Sequence, residues 1–398
     1  MQTETSQNTD TRITRDEFSF IARLSVVSVS RMFGLFMVLP VLAMWSGELQ
    51  GATPLLIGIA VGGYGVTQAL LQLPYGALSD RIGRAPVVVF GLAVFVVGSA
   101  RAASAETIWG VILGRFLQGA GAVSATLSAW LADRTRSSIR TSAMAIYGAS
   151  IGASFLLALV LGSLLSESIG VRGLFWSSAA LGLLGIALVA PFLGAPTARA
   201  ARTAPPTRDW RSVMRPELLA LDAAVLILHA ALTAFFVLVP FALTDRLGLP
   251  ADAHWKLYSV TLALSLPLAI PLIARDGRAR SSGYLLPALA MLTAGFAAML
   301  FSGQHLVIFA AGCTLFFAGF SYLEAALPAQ ISRRADPAQR GASLGLFAAS
   351  QFFGAFVGGV VGGWFVGGAG FDAGLLTMTV ILALWFALAS SKNWRSGA

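Results

Sequence analysis

Charge is scarce in this chain. Lys, Arg, Asp and Glu make up 11% of its 398 residues, against about 25% in an ordinary soluble domain. A soluble fold of this length could not cover itself with so little charge, so that class is excluded. Cysteine is scarcer still. The single Cys313 excludes an intrachain disulfide and any paired-thiol metal site. Histidine occurs only as His229, His254 and His305. They are scattered, with no H-E-x-x-H pattern, so neither a metal nor a cofactor is expected. The pattern G-x-S-x-G occurs at Gly148-Ala149-Ser150-Ile151-Gly152 and at Gly341-Ala342-Ser343-Leu344-Gly345. Both copies lie in apolar runs, not on the strand-to-helix turn a nucleophilic serine needs. Helix packing accounts for these small residues, and no enzyme is expected. The net charge of +9 comes from short basic clusters between apolar runs, which excludes nucleic acid as a partner.

What the chain does have is apolar length. Hydrophobic residues make up 57% of it, and the mean hydropathy is +0.78. Twelve apolar runs of roughly 18–25 residues, each long enough to cross a bilayer, fall near 20–43, 55–78, 86–103, 107–130, 142–164, 172–193, 218–243, 255–274, 283–301, 305–330, 341–366 and 371–391. The first is too long for a signal-peptide core and lacks a clear cleavage site, so it reads as a retained helix. The expected class is an all-α membrane protein of twelve transmembrane helices. Its expected divisions are an N-terminal segment (1–19), a six-helix bundle (20–193), a linker (194–217), a second six-helix bundle (218–391) and a short tail (392–398). In the linker, Trp210 and Met214 read as a short amphipathic piece on the inner membrane surface.

The basic residues set the orientation. With a cytoplasmic N-terminus, twenty-one of the 27 fall at inner loops and ends, and the outer side holds only Arg101, Arg172, Arg246 and Lys256. That bias predicts both termini in the cytoplasm. Trp45, Trp109, Trp176 and Trp255 fall at the outer boundaries, where an aromatic belt belongs. The two halves also align at an offset of 200 residues. Phe36-Met37-Val38-Leu39-Pro40 matches Phe236-Val237-Leu238-Val239-Pro240, and Gly119, Arg134, Arg140, Ser150 and Gly162 recur as Gly319, Arg334, Arg340, Ser350 and Gly362. Loop 275–280 reads as a decayed copy of the 76–84 stretch, with Asp276 for Asp80 and Arg280 for Arg84. Matches in one register imply two duplicated six-helix halves of the same orientation.

One loop organises the rest: Tyr75-Gly76-Ala77-Leu78-Ser79-Asp80-Arg81-Ile82-Gly83-Arg84-Ala85-Pro86. Gly76 and Gly83 remove side chains where backbone must turn or approach closely. Asp80 suits a helix N-terminus or an arginine partner, and Arg81 and Arg84 suit headgroups or acids on other loops. By composition alone, this is equally a positive loop that only sets orientation. Its spacing resembles the loop 2–3 signature of the major facilitator superfamily, G-x-L-(S/A)-D-R-x-G-R-(K/R), departing only at Ala85. A second stretch, Gly114-Arg115-Phe116-Leu117-Gln118-Gly119-Ala120-Gly121-Ala122, resembles that superfamily's fourth-helix motif. The resemblance implies a major facilitator fold and a proton-coupling role for Arg115, with Gln118, Gly119 and Gly121 in the motif. The fifth run reads Val160-Leu161-Gly162-Ser163-Leu164 and lacks the G-P-x-x-G-G common in the proton antiporters. Ser30–Leu42, Leu323–Pro328 and His254–Tyr258 narrow the similarity to the YajR-type branch of bacterial transporters. Such chains carry a soluble C-terminal domain, and none is expected here from the few residues that follow the last apolar run.

Four ionisable residues lie inside apolar runs: Arg31, Arg115, His229 and Glu324. At that depth a charge is costly and normally faces a cavity or a partner. Each arginine is alternatively a structural group bonded to backbone carbonyls. In the eleventh run Gly354, Gly358 and Gly362 form one stripe and Gly359, Gly363 and Gly367 another, for static packing or for a sliding surface.

These readings converge on alternating access about a midplane site. The resemblance implies a latch at the inner side, in which Gly76, Asp80, Arg81, Gly83 and Arg84 meet the start of the eleventh helix and Asp133 and Arg134 of the loop after the fourth helix. The expected pairs are Asp133 with Arg84 and Asp80 with Arg134. His229 and Glu324 are the expected proton carriers, a nearby arginine opposing the desolvation of the carboxyl. The expected function is proton-coupled efflux of a small lipophilic molecule, a neutral or anionic one being at least as plausible as a cation, across a bacterial inner membrane by a monomer in the bilayer. A proton-independent facilitator, an importer of a small metabolite and a transport-inactive membrane sensor are the alternatives.

Overall fold

A computed structural model describes residues 13–193, 210–279, 283–336 and 339–391. It is built of helices α1 (Arg15–Phe36), α2 (Leu39–Gly47), α3 (Pro54–Ile82), α4 (Arg84–Ala103), α5 (Ile108–Ala120), α6 (Ser124–Asp133), α7 (Ser137–Val189), α8 (Trp210–Val213), α9 (Pro216–Phe241), α10 (His254–Ala279), α11 (Leu285–Phe301), α12 (Leu306–Arg334), α13 (Arg340–Gly367) and α14 (Phe371–Ser390). Among the described residues, ten helical stretches are long and apolar enough to span a membrane, and α11 is a shorter apolar helix. One of the ten is 55 residues, roughly 80 Å at helical rise and far beyond a bilayer. It is broken at Gly170, whose φ of 67° and ψ of 173° suit only glycine. The break makes two spans of it, and the architecture accommodates the twelve expected. The side chains of residues 276–280 lie outside the described residues, as does most of the linker.

The duplicated stretches coincide with helix irregularities. The first span bends at Met37-Val38, between α1 and α2, just before Pro40. In the second half α9 runs through Pro240 and then loosens into a π-helical turn, Ala242–Arg246. Proline removes a hydrogen bond and crowds the preceding turn, so a break or widened turn beside it is the expected response.

Glycine sets how the helices meet. On α13 the Gly354–Gly358–Gly362 stripe packs on α9. A methyl group built on Gly354 or Gly358 would lie 2.2 Å from Leu226 O or 2.0 Å from Ala230 O. The second stripe faces the other half of the protein. A methyl on Gly359 would come within 2.4 Å of Gly58 O, and one on Gly363 within 2.4 Å of Pro54 O. One stripe therefore builds the C-terminal bundle, and the other joins it to α3 of the N-terminal bundle. Elsewhere the chain leaves room: a methyl on Gly148, Gly152 or Gly341 would meet nothing within 4 Å. Trp255 Nε1, at the start of α10, donates to Glu167 of α7 and ties the bundles again at the same end as Gly58 and Gly359.

Gly58→Ala should disfavour this joined arrangement by about 1–3 kcal/mol, because its methyl has no room. Thiol labelling of a cysteine placed at Ala355, buried at the same seam, should rise in that variant. It should stay unchanged in Gly76→Ala, where a methyl meets nothing within 4 Å.

Candidate functional site

The 76–84 stretch is helical almost throughout. Helix α3 continues to Ile82 and α4 begins at Arg84, so the turn is Gly83 alone. Gly83 has φ 102° and ψ 156°, and its N–H donates to Ser79 O at 3.1 Å. That backbone is strained for any other residue. Gly76 sits within α3 beside open space, so close approach does not account for it. Arg84 is the hub of the turn. Its Nη1 meets Asp80 Oδ1 at 2.6 Å and donates to Ser79 Oγ at 2.6 Å, while its Nε donates to Asp133 Oδ2 at 2.9 Å. The expected Asp133–Arg84 pair is present. The expected Asp80–Arg134 pair is not: Asp80 lies one helical turn before Arg84 and takes that nearer partner, while Arg134 lies 5.7 Å over the Phe20 ring. Arg81 is exposed. Among the described residues, the ion pairs of this clasp stay within the N-terminal bundle.

The two deep arginines are enclosed. Arg115 has no exposed surface. Its Nε donates to Ala60 O (3.2 Å), Nη2 to Val61 O (3.2 Å), and Nη1 to Leu35 O (3.3 Å) and Gln118 Oε1 (2.8 Å). Gln118 Nε2 passes the chain on to Ser99 Oγ of α4 at 2.8 Å. The guanidinium lies 4.5 Å over the Tyr64 ring, which adds cation–π attraction. Here the backbone-bonded reading describes the geometry. The glycines of the same motif explain its shape: a methyl on Gly119 would sit 1.9 Å from Tyr64 O, and one on Gly121 2.5 Å from Gly91 O. Arg31 is 1% exposed. It donates to Gln68 Oε1 (2.8 Å) and Ser124 Oγ (3.3 Å) and lies over Phe95.

His229 and Glu324, by contrast, come together. Nε2 of His229 on α9 lies 3.4 Å from Glu324 Oε2 on α12. Sequence reasoning missed the third member, Gln351 of α13, although a lone amide in an apolar run is a signal of the same kind as a lone acid. Its Nε2 donates to Glu324 Oε1 at 3.1 Å and lies 2.9 Å from His229 Nε2. His229 Nδ1 faces Val225 O at 3.2 Å. With the Nδ1 proton on that carbonyl, Nε2 is free to accept from Gln351. Added at Nε2, a proton would instead face the carboxylate. The side chain beside Glu324 is thus an imidazole, not the expected arginine. Glu324 is 35% exposed at its side chain against 8% for His229. Aromatic rings lead from this cluster across to the first half. Phe320 lies 5.6 Å from His229 and 5.8 Å from Phe155 of α7, Phe155 lies 5.0 Å from Phe36, and Tyr64 meets Phe352 at 6.4 Å.

Comparison with known proteins settles the family, since the profile described as Major Facilitator Superfamily matches residues 24–275. The chain belongs to the major facilitator superfamily. Within the superfamily it is similar to the inner membrane transport protein YajR of Escherichia coli K12, at 39% identity over 93% of this chain and 82% of YajR. It also resembles the multidrug resistance protein MdtH of Klebsiella pneumoniae, at 28% identity over 86% of this chain and 84% of MdtH. In fold it resembles the solved nucleoside transporter NupG, with a TM-score of 0.72, 13% identity, and cover of 94% of this chain and 100% of NupG. Like its relatives in the superfamily, the protein is a multi-pass membrane transporter of small molecules and not an enzyme.

Arg115→Ala should destabilise the protein by about 1–3 kcal/mol, since it leaves the buried Gln118 Oε1 without its donor. A melting curve in detergent reads this directly. Gly83→Ala should also lower the melting temperature, by about 1–2 kcal/mol of strain, while Arg81→Gln leaves it in place.

Proposed function

We propose that this superfamily member exports a small lipophilic molecule across a bacterial inner membrane, coupled to proton entry, by alternating access of two six-helix bundles about a site at Glu324, His229 and Gln351. The observation that carries the reading is the 3.4 Å approach of His229 Nε2 to Glu324 Oε2, with Gln351 bridging both. One proton shared there changes which bonds the cluster can make. Because the cluster spans α9, α12 and α13, protonation acts directly on the helix that carries the glycine contact with α3. Shifting two states from one extreme to the other takes a differential of about 5.5 kcal/mol. Glu324 is 35% exposed at its side chain, so the pair supplies part of this and substrate binding supplies the rest.

The geometry also bears on the substrate. From sequence, Arg31 and Arg115 in the cavity and the lack of an acid deep in the first run make a neutral or anionic molecule at least as plausible as a cation. With both enclosed, Glu324 is the charge the aromatic-walled region presents, which favours a neutral or cationic lipophile. The similarity to the resistance protein MdtH supports export. In this reading both termini are cytoplasmic, the protein works as a monomer, and the Asp80–Arg84–Asp133 clasp braces the inner end of α3.

In proteoliposomes with an imposed pH gradient, Glu324→Gln should move substrate at a rate that no longer follows the gradient, and Gln351→Leu should shift the pH dependence without abolishing it. Full gradient dependence retained in Glu324→Gln would refute the proton role. Flux in the wild type unchanged by a protonophore would indicate a facilitator instead.

A further inference from the structure

A second cluster lies at the clasp end of the N-terminal bundle. Phe20 of α1, Trp130 of α6 and Phe192, just past α7, form a three-ring trefoil. Their centroids are 5.8 Å apart for Phe20–Trp130, 5.8 Å for Phe20–Phe192 and 5.4 Å for Trp130–Phe192, all edge-to-face. Two guanidinium groups cap it: Arg23 at 6.0 Å from the Phe192 ring and Arg134 at 5.7 Å from the Phe20 ring. Both arginines are exposed, and among the described residues neither makes an ion pair. Their neighbours differ. Arg136 is tied to Glu17 at 2.7 Å, and Arg84 holds Asp133 and Asp80. Glu17, Asp80 and Asp133 are taken by those partners, and two cations on one aromatic base are left over.

We propose that this trefoil is a binding site for the headgroup of an anionic phospholipid, its phosphodiester held between Arg23 and Arg134 and its acyl chains against the rings. A guanidinium lying over a ring keeps its N–H edge free, and that edge matches two phosphate oxygens. Phe20 and Phe192 are half-buried and Trp130 almost fully buried, so the rings give a firm apolar floor. They lie where the apolar run of α1 begins, the depth at which aromatic side chains meet headgroups. This placement rests on the reading that puts the clasp end at the inner leaflet. Arg134, the arginine that Asp80 does not take, thereby gains a role: a lipid seated there bridges α1 to the segment that holds Asp133.

The test is native mass spectrometry of the full chain in detergent, titrated with phosphatidylglycerol, with phosphatidylcholine and with inorganic phosphate. The wild type should retain phosphatidylglycerol selectively. Arg23→Gln and Arg134→Gln should each weaken it by about fivefold, and the pair by roughly 25-fold, as expected for loss of one and two cations at a membrane surface. Trp130→Leu, which keeps both charges, should weaken it too. Arg81→Gln, removing an exposed arginine away from the rings, should not. Equal retention of phosphatidylcholine, equal response to inorganic phosphate, or an unchanged double variant would overturn the proposal. None of these readouts depends on transport or on a proton gradient, so the site and the proposed export mechanism stand or fall separately.

Discussion

Two apolar helices in lipid gain little by touching, because hydrocarbon solvates them as well as they solvate each other. Contact must come from close approach of backbone, and that requires the absence of side chains. The facing glycines of α3 and α13 meet this constraint across the two halves of the protein. Gly58, Gly359 and Gly363 leave no room for even one methyl. The same device recurs inside each bundle, at Gly119 against α3 and at Gly358 against α9. The 42 glycines are therefore not evenly flexible positions. Those at the contacts are the surfaces by which rods of otherwise similar composition recognise each other.

A second constraint is that hydrocarbon offers no partner to a polar group, so each one must be matched within the protein. The chain meets it in two ways. Arg115 spreads its donors over three backbone carbonyls and an amide, an arrangement that fixes α5 against α1 and α3. His229 and Glu324 are matched to each other and to Gln351, with Glu324 only half-buried. The first kind of match holds a structure in place. The second is the match on which the proposed proton step rests.

The fold was legible because its signals are additive over many residues. Twenty apolar positions in a row identify a span whichever way each side chain points. Single residues are another matter. Helices that are apolar on all sides give no periodic hint of which face looks inward, so Arg31 and Arg115 could not be told from Glu324 by depth alone. Structure separates them: two are wrapped in their own bundle and one stands at an aromatic seam. Gln351 escaped notice because an amide carries no charge to draw attention in an apolar run. Gly83 was readable, since a glycine between two long helices has few other uses, whereas Gly76 looked the same in sequence and proved to be an ordinary helical position. Asp80 and Arg84 stand four residues apart, and once α3 continued through them the intrahelical pair became the near one.

The single-residue junction at Gly83 has a mechanical consequence. Long loops absorb relative motion; one glycine between Ile82 and Arg84 cannot, particularly with Arg84 pinned on both flanks. Helices α3 and α4 therefore behave as a bent lever with a stiff elbow. Any tilt that α3 undergoes in parting from α13 is delivered to α4, and through Asp133 to the end of α6, so that a displacement at one seam turns the far side of the bundle as well.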